Sequence, residues 1–235
     1  MDLSPVKRKK TLDVVTDRIR EEILSGKYAA GDKLPSEREF VDQLQVSRIV
    51  VREALRKLEG SGLLVVKRGS GMFVASAGSR AVHDAVTSAL RLEKVKLEEV
   101  MQARLMLEPG IAELAAKKRT PEQLKSLKEN IEKAQANLDN GITGHYEHVD
   151  FHRTLAEATQ NRVLRLTVEA VLYSLRNRQD PPEIQIATDT HALLWHRKIL
   201  RALEERQPEK TAKLMRDHIM EVRKDFEIAA KARRT

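Results

Sequence analysis

"LPSEREFVDQLQVSRIVVREALRKLEGSGLLVVKRGSGMFVA", residues 34–75, decides how the front of this chain folds. Ser36 is placed to cap a helix and Glu39, three residues on, to reach back to it, so the pair predicts a capping box opening a short helix. Ser47 caps the next one. In it Val50, Val51, Ala54, Leu55 and Leu58 form an apolar stripe, while Arg48, Arg52 and Arg56 recur every four residues on another face. Gly60-Ser61-Gly62 ends this helix, and two β-rich runs then flank Lys67-Arg68-Gly69-Ser70-Gly71, which predicts a hairpin with a basic, glycine-rich tip. Upstream, Leu12, Val15, Ile19, Ile23 and Leu24 recur at helical spacing until Ser25-Gly26 stops them. Three helices and a hairpin in this order predict a winged helix-turn-helix.

Arginines repeated at i, i+4 and i+8 suit a helix that enters the major groove, because guanidinium groups reach base-edge acceptors and phosphates while the apolar stripe packs inward. A solvated amphipathic helix has the same spacing; the basic hairpin beside it favours the groove, since a glycine-rich tip lets backbone approach DNA closely. The stretch resembles the DNA-binding domain of the GntR family of bacterial transcription regulators, through its P-S-E-R-E, V-S-R, V-R-E-A-L, L-x-x-x-G-L and G-x-G-x-F-V elements. The resemblance implies DNA contacts from Arg38, Ser47, Arg48, Arg52, Arg68 and Gly69, with Lys57 and Lys67 as phosphate neighbours or solvated charges. One such module per chain implies pairing, so a homodimer on an inverted-repeat operator of double-stranded DNA is expected.

Composition sets the outer bounds. The 235 residues, 41% of them hydrophobic, suffice for one large domain or two modest ones, and the formal charge of +8 suits a polyanionic partner or merely a solvated surface. The absence of cysteine removes disulfides, thiolate zinc sites and cysteine nucleophiles, leaves only nitrogen and oxygen ligands for any metal, and agrees with a reducing cytoplasm. No apolar run approaches the roughly 18 residues of a membrane span, and the start MDLSPVKRKKTLDVV has no signal-peptide core. A soluble cytoplasmic protein without a membrane partner is expected.

After residue 81 the apolar positions keep a helical beat, from Leu90, Leu97, Val100, Met101, Leu105 and Ile111 through Leu172 and Leu175. Breaks at Thr120-Pro121, Asn140-Gly141, Gln160-Asn161 and Asp180-Pro181-Pro182 divide it into at least five helices, which predict an antiparallel all-α bundle. The expected organisation is a mainly α chain: a DNA-binding domain at 1–76, a linker at 77–80 within the small polar run ASAGSR (75–80), and a helical effector- and metal-binding domain at 81–235.

"HYEHVDFHRTLAEATQN", residues 145–161, places His148 and His152 one turn apart on one helical face, a spacing that one metal ion tolerates, with Asp150 pointing elsewhere. His196 in LLWHRKIL and His218 in MRDHIMEV sit among apolar residues, so four histidines from three helices could enclose one ion. Each histidine alone could equally be a hydrogen-bonded core residue, the reading kept for His83, His145 and His191. The segments ARLMLEPGIAELAA, VDFHRTLAEATQNRVL and HRKILRALEERQPEKTAKLMRDHI resemble the FCD effector domain of the FadR subfamily within the GntR regulators, over roughly residues 95–222.

That resemblance implies a divalent metal held by a D-x-x-x-H pair and two later histidines, and a small carboxylate effector beside it. His152, His196 and His218 match the histidines, whereas His148 occupies the aspartate position. The change gives an all-imidazole site favouring zinc or nickel, or a weaker site, or one completed by Asp150 or water. Arg104 matches a cavity-facing arginine able to clamp an effector carboxylate; its other reading is a salt bridge to Glu108 at i+4. Asn161 reads as a helix cap.

These readings converge on a DNA-binding regulator, not an enzyme, that responds to a small organic acid at a metal-containing pocket. A metal sensor and a metal whose role is only structural stay open. A metal-dependent enzyme fused to a nucleic-acid module lacks a placed general base, Glu147 and Glu157 being the nearest carboxylates in sequence.

Overall fold

In the computed structural model, which describes residues 11–75, 80–142, 145–173, 175 and 182–232, the chain divides into two units, Met1–Ala89 and Leu90–Thr235. The first is built from α1 (Thr11–Leu24), α2 (Glu37–Leu44), α3 (Arg48–Gly60), β1 (Leu64–Lys67) and β2 (Gly71–Val74). The capping box at the start of α2 forms as expected: Glu39 Oε2 accepts from the Ser36 amide at 2.7 Å and Ser36 Oγ accepts from the Glu39 amide at 3.3 Å. Gln45 ends α2 in the left-handed region at φ 52°, and Ser47 caps α3 two residues later, accepting from the Val50 amide. This tight turn sets α2 against α3.

From α3, Val51, Ala54, Leu55 and Leu58 are buried against Val15, Ile19 and Ile23 of α1, while Val50 is only half-buried. The hairpin pairs Leu64 with Val74 and Lys67 with Gly71 in antiparallel register. A further segment bonds to this two-stranded sheet without forming a strand. Residues 31–34 lie along β2: the Leu34 amide donates to Met72 O at 2.8 Å, the Val74 amide to Asp32 O at 2.8 Å, and Lys33 bridges Phe73. Too short for a period-two pattern, this segment carries no strand signal of its own.

Residues 76–79, most of the expected ASAGSR joint, lie outside the described residues, and α4 (Arg80–Leu92) follows them. The second unit contains α5 (Leu97–Lys118), α6 (Pro121–Asp139), α7 (His145–Ala158), α8 (Arg162–Tyr173), α9 (Pro182–Glu204) and α10 (Pro208–Ala232). Thr120 caps α6 through a capping box with Gln123, Gly141 follows its end at φ 69°, and Asn161 Oδ1 caps α8 by accepting from the Val163 and Leu164 amides at 3.0 and 3.2 Å. The expected break at Asp180-Pro181 falls outside the described residues; α9 starts at Pro182.

α5 runs on through Pro109-Gly110, a dipeptide that would stop a solvated helix, because Ile111, Ala112, Ala115 and Ala116 beyond it are buried in the core. Those alanines let α10 pack closely along α5, and α7 touches α5, α6, α8 and α9. Where α5 ends, Arg119 donates to the terminal carbonyls Leu203 O and Glu204 O of α9 at 3.1 and 3.0 Å.

Leu58 is fully buried at the meeting of α3 with α1. Leu58→Ala is expected to cost the first unit about 2–5 kcal/mol, read as a lower urea midpoint by circular dichroism.

Candidate functional site

Four helices of the second unit bring polar side chains into a largely apolar interior: Arg104 and Glu108 from α5, His148 and His152 from α7, Asp189 and His196 from α9, and His218 from α10, all buried. At the centre three imidazoles meet. His152 Nε2 lies 3.3 Å from His196 Nε2 and 3.2 Å from His218 Nε2. Phe151 holds the His196 ring by stacking on it at a centroid distance of 3.8 Å, and the His152 and His218 rings stack at 5.2 Å.

A neutral imidazole carries one N–H and one lone pair. Glu108 Oε2 stands 2.5 Å from His152 Nδ1, off the hydrogen-bonding direction but close enough to favour the proton on that nitrogen, which turns the Nε2 lone pair toward the other two rings. A hydrogen can bridge only one nitrogen pair at a time, whereas a four-coordinate ion with bonds of about 2.0–2.1 Å holds its nitrogens about 3.3–3.4 Å apart. The spacing of the His152, His196 and His218 donors therefore fits a metal ion, and these three form the group able to hold one among the described residues.

Burial comes first in setting the charge states. It lowers His196 and His218 well below the ordinary imidazole range, with the neighbouring rings adding to the effect, and it lowers His152 despite the opposing pull of Glu108. All three are therefore neutral at pH 7, as metal ligands must be. Burial would raise Glu108, but the Arg104 charge and His152 outweigh it and hold the carboxyl well below the carboxylate range. Arg104 Nε donates to Glu108 Oε1 at 2.5 Å, so the salt bridge at i+4 is formed, and its Nη2 also stands 3.3 Å from His152 Nε2. Glu108 thus offsets a cation beside the three nitrogens. No described side chain accepts from Arg104 Nη1.

His148 lies one turn before His152 but outside the group of three. Its Nε2 is 3.3 Å from Asp189 Oδ1 without a hydrogen bond between them, and its ring centroid is 5.1 Å from that of His196. Asp150 is exposed and paired with Arg153, and His191 is exposed and paired with Asp225 at 3.1 Å; the side chains of His83 and His145 lie outside the described residues. The sequence reading missed Glu108 as the partner of His152, Phe151 as a ring support and Asp189 beside His148. Only Glu108 left a local trace, its i+4 relation to Arg104.

In the first unit, Arg48 and Arg52 of α3 converge on one carboxylate from α2. Arg52 Nη2 lies 3.1 Å and Arg48 Nε 3.4 Å from Glu37 Oε2, and the Arg52 hydrogen bond chiefly holds Glu37 below the usual carboxylate range. Both arginines stay accessible. Arg38 is almost fully exposed, 4.0 Å from Asp42, while Arg68 and Gly69 occupy the exposed hairpin tip, Gly69 at φ 73°. Lys57 is tied back to Asp13 of α1 at 3.0 Å. An open groove of 1020 Å³ between α2, α3 and the hairpin is lined by Glu37, Arg52, Arg56, Val66 and Gly69 among others.

A winged helix-turn-helix with an arginine-bearing face, joined in one chain to a helical unit with a cluster of buried polar side chains, defines a ligand-responsive, DNA-binding transcription regulator. Residues 11–74 match the model of bacterial regulatory proteins of the gntR family and residues 99–221 match the FCD domain, so the chain belongs to the GntR family, with an FCD domain as its helical unit. It is 33% identical over 217 residues to the Uxu operon regulator of Haemophilus influenzae, covering 90% of this chain and 80% of that protein. It is likewise 33% identical over 215 residues to the Uxu operon transcriptional regulator of Escherichia coli strain K12, covering 87% and 82%. Among solved structures, Streptococcus agalactiae GntR superposes with a TM-score of 0.66 at 28% identity, over 91% of this chain and 99% of that one. The relatives are named as regulators, and the protein is a regulator rather than an enzyme.

Because the folded His196 and His218 resist protonation, the unfolded chain gains protons first as pH falls below 6.5, and stability is lost from there down toward the depressed folded values. In chelator, the melting temperature is expected to fall between pH 7.5 and pH 5.5, and His218→Gln to flatten that fall; Glu108 contributes only at lower pH, beneath the ordinary carboxylate value of 4.5.

Proposed function

We propose that this protein is a cytoplasmic, homodimeric regulator of the FadR subfamily that binds an inverted-repeat operator and senses a small carboxylate metabolite at a metal-containing pocket. The observation that carries the reading is the meeting of three buried, neutral imidazole nitrogens beside a guanidinium with a spare N–H pair.

His152, His196 and His218 would hold a divalent ion, zinc or nickel by the softness of an imidazole set, with His148 as the candidate fourth donor. The ion would supply a Lewis-acidic centre for a carboxylate oxygen. Arg104 would direct its Nη1 hydrogens to the same carboxylate, while Glu108 keeps that guanidinium and the His152 ring fixed. Since α5, α7, α9 and α10 all contribute to this point, an acid that binds one arrangement of the helices better than another shifts their populations. At the other unit, Arg48 and Arg52 would read the major groove, Arg38 and the Ser47 cap would meet the backbone near the start of the helix, and Arg68 and Gly69 would follow the adjacent groove. A second copy related by a twofold axis would supply the other half-site.

The same imidazole cluster supports a second reading, in which the ion itself is the signal. Elemental analysis of the purified chain is expected to find zinc or nickel that His152→Ala loses. A thermal-shift screen of sugar acids, hydroxy acids and dicarboxylates is expected to yield an acid that raises the melting temperature and changes operator affinity. Arg104→Lys keeps the charge beside Glu108 but removes the fork, and is expected to weaken that acid on the order of tenfold while retaining the metal. Operator binding that follows chelation and ignores every acid would favour the ion-sensing reading instead.

A further inference from the structure

The outward face of α3 presents Arg48, Ile49, Arg52, Glu53 and Arg56. All but one are charged. Ile49 is 77% exposed, while the core beneath is closed by Val51, Ala54, Leu55 and Leu58, so this side chain has no part in holding the unit together. A β-branched residue is also a poorer helix former than the alanine, lysine or glutamate that a solvated position accepts.

A single exposed aliphatic residue is ordinary on a protein surface. What distinguishes Ile49 is its place. It is the second residue of α3, in the turn from which a major-groove helix reaches base edges. Arg48 precedes it and Arg52 stands one turn on, both drawn to the Glu37 carboxylate at 3.4 and 3.1 Å, so two donor groups of defined position flank an apolar surface. The thymine 5-methyl is the apolar group that the major groove presents to a side chain. A guanidinium has no hydrogen bond to make with it; a branched aliphatic side chain, stiff at χ1, meets it with little loss of rotamer freedom.

We infer that Ile49 is a specificity-determining residue that packs against the 5-methyl group of a thymine in each half-site, between bases read by Arg48 and Arg52. The inference rests on α3 being the base-reading helix and adds to it a chemical group that hydrogen bonding does not read.

Uracil in place of thymine removes that methyl and nothing else. Duplexes selected from a random library by the full-length chain define the operator, and each thymine is then replaced singly by uracil in a binding assay. One thymine per half-site is expected to show an affinity loss of about fourfold on substitution, the worth of one buried methyl, and about fifteenfold when both half-sites are changed. Ile49→Ala is expected to bind the thymine and uracil duplexes alike, and Ile49→Val to keep the difference; neither change touches the core. Equal uracil sensitivity in wild type and Ile49→Ala, or none at any thymine in wild type, would overturn the inference while leaving α3 as the reading helix. Selection of no sequence at all would overturn both.

Discussion

The second unit is organised around one buried carboxylate. Glu108 faces Arg104 on its own helix and His152 on another, and neither neighbour could be buried in its observed place alone. An unpaired guanidinium in this interior would cost several kcal/mol, and an imidazole without a partner for Nδ1 would be free to turn its lone pair away from the other two rings. With Glu108 ionised between them, the cation is balanced and the ring is oriented. The spacing of the three Nε2 atoms follows from that orientation together with the stacking of Phe151 on His196.

A carboxylate plays a related part at the other end of the chain. Two arginines four residues apart on α3 repel one another, and Glu37 from α2 draws both toward one point while leaving them accessible. The exposed pairs are individually worth little, about 0–1 kcal/mol each, so their effect lies in direction more than stability. Both sites thus use an acid from a neighbouring position to aim basic groups.

Much of the fold was legible because its signals are local. Ser36 with Glu39, Ser47 and Asn161 mark helix starts through hydrogen bonds that span three residues or fewer, and each is found as read; the break at Thr120-Pro121 proves to be a helix start of the same kind. The bridge from residues 31–34 to β2 was hidden because it exists only through its contact with that strand, whereas α5 runs on through Pro109 because burial overrides local propensity. At the sites, helical spacing suggested four histidines about one point, and family likeness matched three of them, His152, His196 and His218. The contact of Glu108 with His152, the place of Asp189 beside His148 and the hold of Glu37 on α3 depend on distant segments meeting in space, which periodicity does not encode.

The three nitrogens come from α7, α9 and α10, and His218 lies 66 residues beyond His152. While a ribosome is still making the chain, the emerging bundle therefore holds at most two of them. On the proposed metal-holding role, capture by the full set would wait until α10 has left the exit tunnel, and a chain cut short after α9 would offer only a two-point grip.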